Sequence, residues 1–249
     1  MKTLIKGFSI LLMTSVFMIA CNKDDDGEGD GVSYDCIEGN CEVSPDGTYN
    51  SESECIAQCN GLSGNFSCDD FDTFTDSRDG QVYKIIEIGN QTWFAENLNY
   101  NTGTSWCYDD LASNCDIYGR LYDWATALDA CPDGWHLPSN TEWDELIDFL
   151  GGEDVAGGKM KSTGTIEDGT GYWDAPNNDA TNESCFSGIG GGARNLLNFT
   201  SIGTYGRFWS ATETSEDGAR NRVLYNHNSN IGNASNNKVS GISCRCLKD

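Results

Sequence analysis

The chain has 249 residues, with 39 acidic against 15 basic side chains and a formal charge of -24. Nucleic-acid affinity rests on Lys and Arg neutralising phosphates and releasing counterions, so this charge excludes a nucleic-acid partner. Charged residues make up only 22%, aromatics 11% and hydrophobics 38%, too much buriable surface for a disordered acidic chain. Twelve Cys against two His point to an oxidising compartment, because disulfides do not persist in a reducing cytosol.

Lys2 and Lys6 precede an apolar run, Phe8 to Ala20, of 13 residues. A helix needs roughly 20 residues to cross the hydrocarbon core, so residues 1–20 read as a signal peptide. Met18-Ile19-Ala20-Cys21 resembles a bacterial lipobox, with Met18 where Leu is usual. The resemblance implies an acylated Cys21 that holds the protein to outer-membrane lipid, each buried CH2 adding about 0.8 kcal/mol. An ordinary signal peptide, with Cys21 in a disulfide, is the alternative. Residues 21–33 run Asn22-Lys23-Asp24-Asp25-Asp26 after Cys21 and then alternate Gly and acid up to Gly31, which keeps a segment extended and solvated as a tether. Its Lys23-Asp24-Asp25 start looks like the signal that sends lipoproteins of Bacteroidetes-type bacteria to the outer face of the outer membrane. Asp24, Asp26 and Asp30 suggest calcium, but the distal bidentate Glu of an EF-hand is missing, and no cofactor is assigned.

Residues 34–61 read as a small two-disulfide module, Cys36-x4-Cys41-x13-Cys55-x3-Cys59, with Pro45-Asp46-Gly47 as a turn. So short a segment cannot surround a hydrophobic core, and disulfides substitute for one. Ser51 and Glu54 form a capping-box pattern that starts a helix with Cys55 and Cys59 on one face. Both are expected to bond back to Cys36 and Cys41, in either connectivity. Zinc is the weaker reading, since an exported chain meets oxidant first. The pattern is similar to the carboxyl-terminal part of Kunitz modules, without their inhibitory loop.

Residues 62–249 suffice for one core. Val82 to Ile88 alternates, Gly89-Asn90 suits a hairpin turn, and Gln91 to Leu98 returns. Leu121, Trp124, Ala125 and Leu128 recur at helical spacing, predicting a helix from about Tyr118 to Cys131-Pro132. Ser139 and Glu142 form a capping box before Trp143, Leu146, Ile147 and Leu150, a second helix that Gly151-Gly152 ends. Beyond Gly157 no helical period appears, and short strands with long loops are expected. The fold class is therefore α+β.

Six blocks in order then carry a resemblance: residues 76–83, Gln91-Thr92-Trp93-Phe94-Ala95-Glu96-Asn97-Leu98, residues 118–124, Cys131-Pro132-Asp133-Gly134-Trp135-His136-Leu137-Pro138 with Glu142-Trp143, residues 208–213, and Arg245-Cys246-Leu247-Lys248-Asp249. They resemble the Fibrobacter succinogenes major paralogous domain, a family largely of exported lipoproteins without an assigned activity. Trp135-His136-Leu137-Pro138 with Glu142-Trp143 is more distantly similar to formylglycine-generating sulfatase-modifying factors, which implies their C-type-lectin-like fold.

Among the seven Cys of this domain, Cys107 and Cys115 bracket a short loop and are expected to pair. The resemblance implies Cys131 with Cys246, a first-helix Cys bridged to the last strand. Cys185 and Cys244 stand where the family more often has Gly and Val, and this double departure suggests a third bridge, leaving Cys68 free or paired in trans. Each bridge contributes roughly 2 to 4 kcal/mol. Alternatively, if residues 243–247 form a strand, Cys244 and Cys246 share a face and could hold Cu(I); the formylglycine-generating enzymes use such a pair in an oxidase reaction, at a different spacing.

His136 and His227 lack the neighbouring nucleophile and orienting carboxylate of a triad. Gly188-Ile189-Gly190-Gly191-Gly192 lacks the preceding strand and following helix of a phosphate loop, so a turn is expected. Trp173, Asp174, Asn177, Asp179, Tyr205, Arg207 and an Asn-rich loop over 226–237 offer aromatic platforms, amides and carboxylates that suit a glycan or calcium, although the sugar motifs of true C-type lectins are absent. The reading is a surface lipoprotein with a non-catalytic binding or adhesion domain for an extracellular glycan or protein. Its alternatives are a copper oxidase of the formylglycine-generating type and a purely structural envelope component.

Overall fold

A computed structural model describes residues 33–37, 40–45, 47–50, 55, 68 and 71–249. The signal peptide, Cys21, nearly all of the tether, the Ser51–Glu54 cap and Cys59 lie outside the described residues. No helix among them is long and apolar enough to cross a membrane.

In the small module, β1 (Ser33–Ile37) pairs antiparallel with β2 (Asn40–Ser44), Cys36 opposite Cys41. Tyr34 and Tyr49 exchange backbone hydrogen bonds of 2.9 and 3.0 Å. A Cβ on Gly47 would lie 2.5 Å from the Tyr34 backbone, so the turn admits only glycine there. Cys41 is bonded to Cys55, one of the two connectivities the spacing allowed.

In the main domain β3 (Asp72–Thr75), β4 (Val82–Ile88) and β5 (Gln91–Phe94) form an antiparallel meander. Gly89 turns the hairpin at φ 61°, as its position predicts. The hairpin's last ladder bond runs from Ala95 N to Lys84 O at 2.8 Å, short of Leu98; on the other edge the chain's end is bound, Phe94 N donating to Cys246 O at 2.9 Å and Leu98 N to Cys244 O at 3.0 Å. Asp76 and Arg78 clamp the β3–β4 turn, and Arg78 Nη2 reaches on to Ala130 O at 2.9 Å.

The single helix expected from Tyr118 is not formed. The chain makes β6 (Ser105–Trp106), α1 (Ala112–Tyr118), β7 (Leu121–Tyr122) and α2 (Trp124–Leu128). Gly119, at φ 70° with Asn97 Cβ 2.7 Å from its would-be Cβ, ends α1. Leu121 and Tyr122 then pair with β6 on one side and with β14 (Ile242–Ser243) on the other. The Asp123 side chain caps α2 by accepting from Thr126 N at 2.8 Å. Trp124 and Ala127 are buried, whereas Leu128 is 38% exposed and Ala125 is exposed; ladder bonds outweighed the helical period.

The second predicted helix is α3 (Asn140–Phe149), with its capping box complete: Ser139 Oγ accepts from Glu142 N at 3.3 Å, and Glu142 Oε2 from Ser139 N at 2.7 Å. Trp143, Leu146, Ile147 and Leu150 are buried, each such side chain worth about 1.5–3 kcal/mol. Gly151 and Gly152, both at positive φ, end it. A further helix, α4 (Glu153–Met160), follows, where no period had announced one. Gly157 and Gly158 lie against the backbones of Asn230 and Asp179, a close approach that no larger residue permits.

The long strands come last: β9 (Gly191–Asn195), β10 (Asn198–Ile202), β11 (Tyr205–Ser215), β12 (Gly218–Tyr225) and β13 (Ile231–Asn237). Two expectations are corrected here. Gly191 and Gly192 open β9 in place of a turn, and half of the Asn-rich loop is strand, β13 pairing with β12 in unbroken register. Among the described residues β13 pairs with β12 alone and so forms an edge of the sheet. Together with β14, β7 and β6 these strands make an eight-stranded sheet; β3, β4, β5, β15 (Leu247–Lys248) and β8 (Trp135–His136) make a five-stranded one. The fold is mixed α+β.

Residues 242–248 stitch the two sheets together, β14 lying in one and β15 in the other. One core cluster gathers Trp93, Trp143, Trp173, Phe186 and Phe208; the second gathers Tyr83, Phe94, Trp135, Trp209 and Cys246. Cys107–Cys115 and Cys131–Cys246 are bonded as expected. The Cys185–Cys244 pairing is overturned: Cys185 is bonded to Cys68 across 117 residues, and Cys244 is a free, buried thiol. Family departures at two positions marked one bridge end, and its partner came from upstream of every resemblance block.

Candidate functional site

A cavity of about 350 Å³ opens where four segments meet: the edge of the β4–β5 hairpin, residues 95–99, the C-terminal half of α1, and the loops carrying Ser162, Tyr172 and Ser187. Cys115, Asp116, Ile117 and Gly119 form one wall, and Arg245 lies behind the floor. This volume is within the range of small-ligand sites.

Arg245 is fully buried. Its Nε donates to Asn97 Oδ1 at 2.7 Å, Nη1 to Phe94 O at 3.2 Å and to Phe186 O, and Nη2 to Ser187 O at 2.9 Å. Its guanidinium carbon sits 4.5 Å from the Phe186 ring centroid. Burial pushes its pKa down to about 9, against the opposing pull of Glu96, so it remains charged at neutral pH. Asn97 is held in turn by Nδ2 donating to Tyr118 O at 2.8 Å. The cavity floor is thus rigid and backed by positive charge.

The polar groups facing this space are under-used. Ser162 lines the cavity, while its Oγ is turned away from solvent and has no hydrogen-bond partner among the described residues. Tyr83 Oη accepts from Asn99 N at 3.1 Å, and burial pushes its pKa up to about 12, so it stays a neutral donor. Tyr172 is 45% exposed on the rim, edge-on to Tyr118 at 6.0 Å. No His lines the cavity.

The six surface residues chosen from sequence do not assemble into one site. Trp173 is fully buried, its Nε1 donating to Gly188 O at 3.0 Å, and is a core residue with no face to offer. Asp174 accepts from Thr204 Oγ1 at 3.1 Å. Asn177 is buried and uses Nδ2 on Ser162 O and Gly164 O at 3.0 and 2.9 Å; it shapes the cavity loop from behind. Asp179 is exposed. Tyr205 and Arg207 sit apart on the β11–β12–β13 face, where Tyr205 meets Tyr225 edge-on at 5.6 Å and Arg207 Nη1 donates to Asn221 Oδ1 and Asn236 Oδ1 at 3.4 Å.

His136 lies between two carboxylates, Nδ1 to Asp249 Oδ1 at 2.7 Å and Nε2 to Glu142 Oε1 at 3.0 Å, which ties the chain's end to α3. His227 meets Asn226 Oδ1 at 3.2 Å. Cys244 and Cys246 do not form a thiol pair, since β14 ends at Ser243, β15 begins at Leu247, and Cys246 is committed to Cys131. Burial alone pushes the Cys244 thiol well up. Among the described residues no group of three or more His, Cys, Asp or Glu is arranged to hold a metal ion.

Sequence reasoning missed the cavity. Asn97 and Arg245 both stood inside the resemblance blocks, but nothing in their local sequence shows that they touch. The family model described as Fibrobacter succinogenes major domain matches residues 86–248. No curated protein and no solved structure matches the chain.

Proposed function

The chain belongs to the Fibrobacter succinogenes major domain family, and from that premise we propose a surface lipoprotein whose main domain binds a small extracellular ligand without catalysis. In this reading Cys21 carries the acyl anchor in the outer membrane, the tether lifts the domain clear of it, and the four helices and two sheets of the domain take a C-type-lectin-like arrangement. The observation that carries the binding role is the cavity itself, walled by elements far apart in sequence and backed by the hydrogen-bonded, buried Arg245.

The test is a thermal-shift and calorimetric screen of the full chain against neutral sugars, acidic sugars and short carboxylates. A hit should weaken about tenfold in Ser162→Ala and in Tyr172→Ala, while Arg207→Ala, on the separate sheet face, leaves it unchanged. A hit abolished by Arg207→Ala would move the site to that face. Silence across the screen and in cell-adhesion assays would sink the binding role.

A further inference from the structure

We infer that the Cys107–Cys115 bridge is a site of thiol–disulfide exchange, reduced by a low-molecular-weight dithiol or a dithiol protein while the other bridges of the main domain stay closed. One nitrogen of a guanidinium, Arg120 Nη1, lies 3.6 Å from both sulfurs of this bridge. Arg120 is braced by Nε on Ser105 Oγ at 3.0 Å and Nη2 on Ser105 O at 3.4 Å, and it makes no salt bridge among the described residues. Its charge is therefore free to meet a thiolate released beside it. Adjacent cationic groups lower a cysteine's pKa, and a lower-pKa thiol leaves faster and stabilises the reduced state. Asp109, Asp110 and Asp116 oppose this, but all three are exposed, where solvent and salt screen them.

The two sulfurs are not equivalent. Cys107 is half-buried and Cys115 is 6% exposed, so an incoming thiolate reaches Cys107. The new bond joins the reductant's sulfur to Cys107 Sγ, the Cys107–Cys115 bond breaks, and its electron pair leaves on Cys115 as a thiolate held by Arg120. The reductant's second thiolate then attacks its own sulfur in the mixed disulfide and departs oxidised. Cys107 is left as a thiol, with two electrons gained by the protein and protons taken up from water as pH requires.

The bridge closes only 8 residues, against 115 and 117 for the other two bridges of the domain, so its loss disturbs the fold least. Because Cys115 and the α1 residues after it wall the cavity, exchange would loosen that wall. The inference concerns the bridge itself and stands whether or not the cavity holds a ligand.

The experiment poises the full chain in dithiothreitol redox buffers, quenches with acid, and labels thiols for mass spectrometry cysteine by cysteine. Cys107 and Cys115 are expected to label at a more oxidising poise than Cys131, Cys246, Cys68 and Cys185. Arg120→Gln should shift that equilibrium about tenfold toward the disulfide, ~30 mV, and Arg120→Lys should restore most of it. Labelling of Cys107 and Cys115 together with or after the other bridges overturns the inference, as does an unshifted midpoint in Arg120→Gln. If Arg120→Gln fails to fold, the order of labelling in the unaltered chain decides alone.

Discussion

Cutting the Cys131–Cys246 bridge should cost this domain far more than cutting Cys107–Cys115. The first spans 115 residues and the second 8. In the chain-entropy relation these loops correspond to about 4.8 and about 2.5 kcal/mol of restriction on the unfolded state. Cys246 is fully buried in the second core cluster, and its carbonyl accepts from Phe94 N; removing its sulfur adds a packing loss of about 1 kcal/mol. For a domain of this size each kcal/mol moves the melting temperature by about 2–4 °C. Cys131→Ala with Cys246→Ala should thus melt about 12–23 °C below the parent, and Cys107→Ala with Cys115→Ala about 5–10 °C below. Scanning calorimetry under non-reducing conditions reads both. Equal losses, or a larger loss for the short loop, would refute the account of the long bridge as the clamp on residues 242–248.

Three further outcomes are expected. Non-reducing peptide mapping should return Cys68 linked to Cys185, and Cys244 should resist maleimide in the native protein and label once it is unfolded; rapid native labelling of Cys244 would contradict its burial. Lys161, whose Nζ donates to Asn178 O, Tyr225 O and Asn228 O at 2.6, 2.9 and 3.0 Å, has its pKa pushed down by burial to about 8. The cost of its buried charge is fully present below pH 8 and is relieved as pH rises toward 10.5, where the unfolded chain also loses the proton. The difference in stability between the parent and Lys161→Met should stay constant between pH 6 and 7 and change as pH rises from about 8 toward 10.5, as urea denaturation at stepped pH would show. For Glu142, burial acts to raise the carboxyl's pKa, but the Ser139 N–H and hydroxyl and His136 outweigh it and hold it below the usual range. Its contribution is complete above the usual carboxylate pKa and is lost as pH falls through the lowered value, so Glu142→Gln should flatten the acid limb of the stability curve; an unchanged limb would count against the capping box and the His136 clamp.

Sequence by itself determined what short-range physics governs. Ser139 and Glu142 three residues apart make a cap, Gly89-Asn90 makes a turn, Trp143, Leu146 and Ile147 make a buried stripe, and Cys107 and Cys115 are close enough to meet without help. Each of these depends on backbone geometry within about one turn, so the residues alone carry it. The resemblance blocks supplied the Cys131–Cys246 bridge, which local spacing does not contain. Tertiary structure decided the rest. Leu121 follows a helical period yet lies with Tyr122 in a strand, because β14 and β6 offer ladder hydrogen bonds on both sides and Gly119 had already ended the helix. Trp173 reads as an exposed platform and is a core residue, and Cys185 turns to Cys68 and away from Cys244. The cavity exists only because residues 95–99, α1, three loops and Arg245 converge. Contacts between residues 59 to 151 positions apart are set by how two sheets share one C-terminal thread, a property of the whole packing that no local pattern encodes.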